Sequence, residues 1–317
     1  MIVTRWLARL AMPIALLGAL ALAATACGSS SKGPSGGPQA GDARTKRACG
    51  IDRRPPRRWS HVVWIVFENK SYDQIIGNRG DASYINFLAS RCGLSTRFYA
   101  EAHPSLPNYI AMTSGSTHGI SDDDDPGSHP LSGPSIFSEL GRNWRVLAED
   151  MPSNCHTSNS GNYAVRHNPA TYYTNVRSAC RRQNVPLRSR PDISAKFTFI
   201  VPNLCSDMHS CPETGRDEGK QTRAGDAFLR RLMPKIFATR EYRAGRTAVF
   251  ITWDEDDYGG SNQIPTIVVA PSVRRRTRSS RRYDHYSMLR TTEDMLGLRA
   301  RLGAAARAGS MRSAFNL

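Results

Sequence analysis

Residues Val62–Phe67 read VVWIVF and run without a break into Glu68-Asn69-Lys70. Six apolar residues in a row predict a strand covered on both faces, because a half-exposed strand would alternate polar and apolar side chains. Three other runs share this character: Phe197–Val201 (FTFIV), Ala248–Thr252 (AVFIT) and Ile267–Ala270 (IVVA). Helical spacing of apolar residues falls between them. Asp81–Arg91 carries Tyr84, Phe87 and Leu88, and Gly225–Thr239 carries Phe228, Leu229, Leu232 and Ile236. Ser135–Leu140 is shorter, and Tyr286–Leu296 carries Met288, Leu289, Met295 and Leu296. Strands alternating with helices predict an α/β three-layer sandwich with a mainly parallel central sheet. Ligands bind such sheets where strands end and loops begin.

Polar residues gather at those ends. Glu68-Asn69 closes the first strand with one carboxylate and one amide oxygen, a pair suited to a hard divalent cation. Pro202-Asn203-Leu204-Cys205-Ser206-Asp207-Met208-His209 follows the FTFIV strand, and Trp253-Asp254-Glu255-Asp256-Asp257 ends AVFIT. Four adjacent carboxylates repel one another unless a cation or arginines offset them. A further cluster, His103-Pro104-Ser105-Leu106-Pro107-Asn108, places Pro107 in the first turn of a helix and Ser105 just ahead of it. Free N–H groups there favour an anion, and a hydroxyl near a metal can attack phosphorus. The plainer role for Ser105 is an N-cap. Asp284-His285 precedes the last helix.

Composition narrows the partners. The 317 residues hold 43 Lys+Arg against 27 Asp+Glu, a formal charge of +16, with 39% hydrophobic and 22% charged residues. That composition excludes wholesale disorder and favours phosphate esters, anionic lipid or nucleic acid, without choosing among them. Sequence context then argues against nucleic acid, because the basic residues cluster in the tether and one loop without interleaved aromatics for base stacking. Asp122–Asp125 lacks the spacing of a calcium loop and reads as a solvated turn. His118 and His167 read as structural. Arg274–Arg282 reads equally as a contact for anionic lipid or cell-wall polymer and as a solvated loop.

The first residues read as an address. Arg5 and Arg9 precede the apolar run Leu10–Ala23, the pattern of a secretory signal. Ala24-Thr25-Ala26-Cys27-Gly28 resembles a lipobox, so residues 1–27 are expected to be a signal peptide ending at lipidated Cys27; an ordinary cleavage site is the alternative. Residues 28–58 are Gly/Ser/Pro- and Arg-rich and read as a flexible tether. The folded domain is expected over 59–298, with 299–317 a loose or helical tail. The protein is therefore expected to be exported and held by lipid at the outer face of the membrane, touching it only through that anchor. Setting Cys27 aside leaves six thiols, which in an exported chain read as up to three disulfides. Proximity suggests Cys205–Cys211, Cys155–Cys180 and Cys49–Cys92, while a zinc cluster lacks any CxxC spacing.

In order, FENKSYDQIIG (Phe67–Gly77), AHPSLPNYIAMTSG (Ala102–Gly115), PNLCSDMH (Pro202–His209), TWDEDDYGG (Thr252–Gly260) and YDHYSMLRTTEDMLGL (Tyr283–Leu298) resemble the bacterial phosphoesterase family of phospholipases C and secreted acid phosphatases. That family lies in the alkaline phosphatase superfamily. The segments AEDMP (Ala148–Pro152), YAVRHNP (Tyr163–Pro169) and GDAFL (Gly225–Leu229) look most like its short acid phosphatases. The resemblance implies a divalent metal (calcium, magnesium, manganese or zinc) on Glu68, Asn69, Ser105, Asp254 and Glu255. It implies Ser105 as nucleophile and His209 or His285 as proton donor, with His103, Asn108 and Asp207 around the phosphate. The implied reaction is a double displacement through phosphoserine, with an acidic optimum, on monoesters that include phosphoinositide headgroups. A phospholipase C-like diesterase is the enzymatic alternative. A surface lipoprotein binding anionic polymer without catalysis is the alternative of another class.

Overall fold

The computed structural model describes residues 48–317 apart from Arg53, so the expected signal segment, Cys27 and most of the tether lie outside the described residues. Among the described residues, no helix is long and apolar enough to cross a membrane. The VVWIVF run forms β1 (His61–Phe67), buried from its second residue onward. In chain order there follow α1 (Tyr72–Ile75), α2 (Ser83–Arg91), β2 (Gly93–Tyr99) and α3 (Ser105–Ser114). Next come α4 (Ile136–Leu140), β3 (Trp144–Ala148), α5 (Arg177–Gln183), β4 (Asn184–Pro186) and β5 (Phe197–Val201). Then α6 (Glu218–Phe237), α7 (Arg240–Arg243), β6 (Thr247–Trp253) and β7 (Gln263–Val269) are followed by β8 (Thr277–Ser279), β9 (Tyr283–Asp284), α8 (His285–Leu296) and α9 (Arg312–Phe315).

The strands form one sheet in the order β4-β3-β5-β1-β6-β7-β2-β8, with β9 also pairing β2. β1 sits centrally and parallel to both β5 and β6, in register Val62↔Phe197 and Val62↔Ala248. Only β7 runs antiparallel to both of its neighbours. Successive strand residues face opposite sides of a sheet. On one side, Trp64 Nε1 donates to Thr292 Oγ1 of α8 at 3.1 Å. On the other, Phe67 meets Phe228 of α6 edge-on, with centroids 6.2 Å apart. Helices therefore cover both faces, and the three-layer α/β expectation holds.

Parallel alignment brings the carboxyl ends of β5, β1 and β6 to one edge. Their loops are tied by backbone bonds, Glu68 N to Asp207 O at 2.8 Å and Asp254 N to Phe67 O at 2.9 Å. The three proximal cysteine pairs are all disulfides, Cys49–Cys92, Cys155–Cys180 and Cys205–Cys211.

Residues 299–317, expected as a tail beyond the domain, instead close over α3 and α8. Leu302, Ala305, Met311, Phe315 and Leu317 are buried. Leu302 N donates to Glu293 Oε1 at 2.9 Å, Met311 N to Thr291 Oγ1 at 2.8 Å and Ala304 N to Gly115 O at 2.8 Å. Gly115 ends α3 with φ +79°, and a Cβ there would lie 2.2 Å from Leu302 O. Only glycine permits both that conformation and that approach.

Candidate active site

Ser105 opens α3, a ten-residue helix that is buried throughout. Its Oγ donates to Glu68 Oε2 at 3.0 Å and lies 3.2 Å from Glu255 Oε1. Asn69, in the left-handed region at φ +45°, turns the chain so that its N–H meets Asp254 Oδ1 at 3.2 Å and its Nδ2 meets Glu255 Oε1 at 3.1 Å. The structure thus gathers all five residues read from the sequence as metal ligands. Of the acidic run, Asp254 and Glu255 face the serine. Asp256 turns away to accept from Tyr258 N at 2.9 Å and Asn262 N at 2.8 Å, and Asp257 accepts from Gln74 at 2.7 Å outside.

His167 lies beside Glu68, although the sequence reading gave it a structural role. Its Nε2 is 3.3 Å from Glu68 Oε2 and its Nδ1 is 3.2 Å from Asp207 Oδ2. Its ring stacks on Tyr109 at 5.3 Å, and the Tyr109 hydroxyl donates to Glu68 Oε1. Glu68, His167 and Asp207 each offer a buried ligand atom within 4.8 Å of the others. Asp207, expected at the phosphate, points into this cluster, while its Oδ1 accepts from His209 N at 2.8 Å. The signal for His167 was faint. It sits on a 3-10 turn, Val165–His167, with no strand before it.

Two sequence expectations need correction. The Asn108 side chain spends its bonds locally, accepting from Glu101 N and Ala102 N at 3.0 Å and donating to Ala102 O and Pro104 O at 2.8 and 3.2 Å. It holds the serine loop and has no capacity left for phosphate. His285 is fully buried, with Nδ1 2.5 Å from Glu101 Oε2 and Nε2 2.9 Å from Trp253 O. Burial disfavours its charge, but the Glu101 carboxylate outweighs that and holds the imidazole above its ordinary range. Both ring nitrogens are engaged, so His285 ties the end of β6 to the loop after β2 and gives no proton to a leaving group.

His209 remains at the rim, half-buried, its ring 6.3 Å from His167. His103 clamps the acidic loop, with Nδ1 2.5 Å from Glu255 Oε2 and Nε2 3.3 Å from Asp256 Oδ1, and stacks on exposed Tyr258 at 4.0 Å. Arg166, given no role in the sequence reading, brings its Nε to 3.6 Å from Asp123 Oδ2, and Asp123 Oδ1 accepts from Leu106 N at 2.9 Å. The guanidinium therefore stands beside the first turn of the serine helix.

The electrostatics are those of buried, crowded carboxylates. Burial, then repulsion from Asp254 and Asp207, raises Glu68 well above the carboxylate range. Burial likewise lifts Asp254 to about 6, and burial with the Asp254 charge lifts Glu255 to about 9. Burial lowers His167, and the Arg166 charge adds to that. Asn69 Oδ1, Asp254 Oδ2, Asp207 Oδ2, His167 Nε2 and Arg166 Nε are buried without hydrogen-bond partners among the described residues. Buried polar atoms are rarely left unpaired. Four of these five are metal-donor atoms facing a set of carboxylates, and that donor set fits a divalent cation. The fifth, Arg166 Nε, has the Asp123 carboxylate as its nearest anion, at 3.6 Å.

Comparisons with known proteins bear on the family and the fold. Residues 78–299 match the family model described as the Phosphoesterase family. The phosphatidylinositol-3-phosphatase of Mycobacterium tuberculosis is 33% identical over 255 residues, 76% of this chain and 78% of that protein. A probable acid phosphatase of Kluyveromyces lactis is 29% identical over 72% of this chain but only 56% of its own length. A Vibrio parahaemolyticus protein of the alkaline phosphatase superfamily superposes with a TM-score of 0.54 at 12% identity, covering 85% of this chain and 74% of its own.

Proposed function

The chain belongs to the Phosphoesterase family and is a hydrolase of phosphate esters, and on that premise we propose an exported, divalent-metal-dependent acid phosphatase that cleaves monoesters through phosphoserine at Ser105. The observation that carries the reading is the Ser105 hydroxyl at a helix N-terminus, within hydrogen-bond reach of Glu68 and Glu255 and surrounded by orphaned donor atoms. Three disulfides support export, since such bonds persist in oxidising compartments. Lipid attachment at Cys27 is part of the proposal and rests on the sequence pattern.

Glu68, Asn69, Asp254, Glu255, His167 and Asp207 are the residues that would hold the metal. When bound, a divalent cation offsets the carboxylate repulsion and favours the ionised serine oxygen. Ser105 Oγ then attacks phosphorus in line, forming the serine–phosphorus bond as the bond to the alcohol breaks. Its proton is lost to solvent water as the oxygen ionises. Arg166 and the amino end of α3 meet the charge on the equatorial phosphoryl oxygens. His209 at the rim hands a proton to the departing alkoxide. Water then cleaves the phosphoserine, releasing inorganic phosphate and restoring the hydroxyl.

Arg166 supports a monoester substrate, because a terminal phosphate carries one more negative charge than a diester. The identity of the Mycobacterium tuberculosis relative makes phosphoinositide headgroups a candidate substrate within that class. Purified Ser105→Ala, assayed on p-nitrophenyl phosphate with and without chelator, tests the reading. Activity is expected to fall at least about 1000-fold in the variant and on chelation of the parent. Activity surviving both treatments contradicts it.

A further inference from the structure

The active site and the point where the described chain begins lie at opposite ends of the sheet. β1 and β6 run in parallel from His61 and Thr247 toward the acidic loops, and seven strand residues span about 20 Å. At the starting end, Ala48 and Cys49 are buried, Ile51 N donates to Pro271 O at 2.9 Å, and Arg246 Nη2 donates to Arg58 O at 3.2 Å. The residues preceding Ala48 therefore join the domain there.

This end is basic. Arg57, Arg58, Arg243, Arg246, Arg274 and Arg275 are all exposed on it, whereas Glu68 and Asp254–Asp257 occupy the other. Among these arginines Ile51 is 53% exposed; the other large hydrophobic side chain exposed among the described residues is Tyr258, at the active-site rim. Ile51 borders a concavity of about 350 Å³ lined by Phe237, Tyr242, Arg243, Gly245, Pro271 and the exposed Asp52, the one carboxylate in its lining. Guanidinium groups around an exposed aliphatic side chain match a surface with anionic heads over an apolar interior. A polyanion in water offers the charge alone.

We propose that this face docks on a bilayer containing anionic lipid, arginines on the headgroups and Ile51 at the acyl boundary, and so turns the active site away from the membrane. The consequence for substrate rests on the phosphatase reading: the site then takes soluble esters or esters on an opposing surface, and not lipids of the leaflet beneath it. Docking itself does not depend on catalysis.

The full chain is sedimented with vesicles of phosphatidylglycerol and phosphatidylcholine in equal parts, and with vesicles of phosphatidylcholine alone. The ratio of the two partition coefficients cancels any contribution from apolar or acylated residues before Ala48. Arg243→Glu/Arg274→Glu is expected to lower that ratio about 25-fold or more, since each arginine at such a surface contributes about a factor of five. Arg216→Glu/Lys220→Glu makes the same charge change near the start of α6 and is expected to lower it less than about threefold. Thermal melts by circular dichroism verify that both variants fold. Equal losses in the two variants overturn the docking face. Ile51→Ser is expected to weaken binding to the mixed vesicles but not to polyglycerol phosphate. Tighter binding to that polymer than to vesicles overturns the bilayer. Vesicle-bound parent is expected to hydrolyse p-nitrophenyl phosphate at its free rate, and loss of activity on binding overturns the outward orientation. Enzyme inactive without vesicles contradicts the phosphatase reading instead, and sedimentation alone then decides the docking face.

Discussion

Ser105 Oγ lies 3.0 Å from Glu68 Oε2 across 37 residues of sequence and 3.2 Å from Glu255 Oε1 across 150. The amino end of α3 and the carboxyl ends of β1 and β6 have to be packed together for this, and the backbone bond from Asp254 N to Phe67 O fixes the two strand ends in step. The contact is a consequence of the fold, and each prediction tests one part of what holds it or uses it.

His167 is expected to act as a metal donor. His167→Ala should lower the apparent affinity for the activating divalent ion by at least about 100-fold, with kcat falling at fixed metal. Titration of activity with metal after chelation measures this. A variant with a lower Tm but an unchanged metal midpoint would make the histidine a packing residue.

The buried Glu101–His285 pair positions the end of β6. Glu101→Gln strips the imidazolium of its counter-charge and should cost about 3–5 kcal/mol in denaturant unfolding. Because the folded His285 pKa is raised, the parent's gain from the pair is full below the ordinary histidine value and is lost as pH rises through the folded one. The variant should lack that decline. A cost under about 1 kcal/mol would mean the pair contributes little.

Glu293 makes the docked carboxyl-terminal segment sensitive to pH. Burial raises it from 4.5 to about 7, while its Oε1 accepts from Leu302 N and its Oε2 lies 3.8 Å from Arg301 Nε. The folded state then binds more protons than the unfolded one between those values, so stability falls as pH rises through that window. After allowance for Arg301 and solvent screening the loss is about 1–2 kcal/mol. Glu293→Gln keeps an acceptor for Leu302 and should match the parent near pH 4.5 but melt higher at pH 8. Parallel Tm–pH curves for the two proteins would contradict this.

Mono- and diester cleavage separate in parallel assays on p-nitrophenyl phosphate and its bis ester. The monoester should be preferred by at least about 10-fold in kcat/KM, and Arg166→Ala should narrow that preference. A diester preference in the parent would reverse the substrate assignment.

The central strands were legible because burial on both faces leaves an unbroken apolar run, as in VVWIVF and AVFIT. β2, GLSTRFY, was not, since Ser95, Thr96 and Arg97 interrupt the pattern and its pairing with β7 is irregular between Ser95 and Phe98. Strand-end logic pointed to Glu68, Asn69, Asp254 and Glu255, which the structure gathers beside Ser105, because their strands announce them. It missed His167 and Arg166, which stand on a short turn whose place is set by distant packing. It misassigned His285 because the partner that immobilises it, Glu101, is 184 residues away. The last segment looked loose because Ala, Arg and Gly dominate it, while the few side chains that anchor it, Leu302, Met311 and Phe315, follow no single period.

The central claim is that Ser105 carries the phosphoryl group. Acid-quenching the metal-loaded enzyme during turnover of a phosphomonoester, followed by mass analysis of its peptides, measures this directly. The account predicts one added phosphoryl group on the peptide containing Ser105, present in the parent and absent from Ser105→Ala. Turnover with that peptide unmodified at every quench time, or the label on another residue, would contradict it.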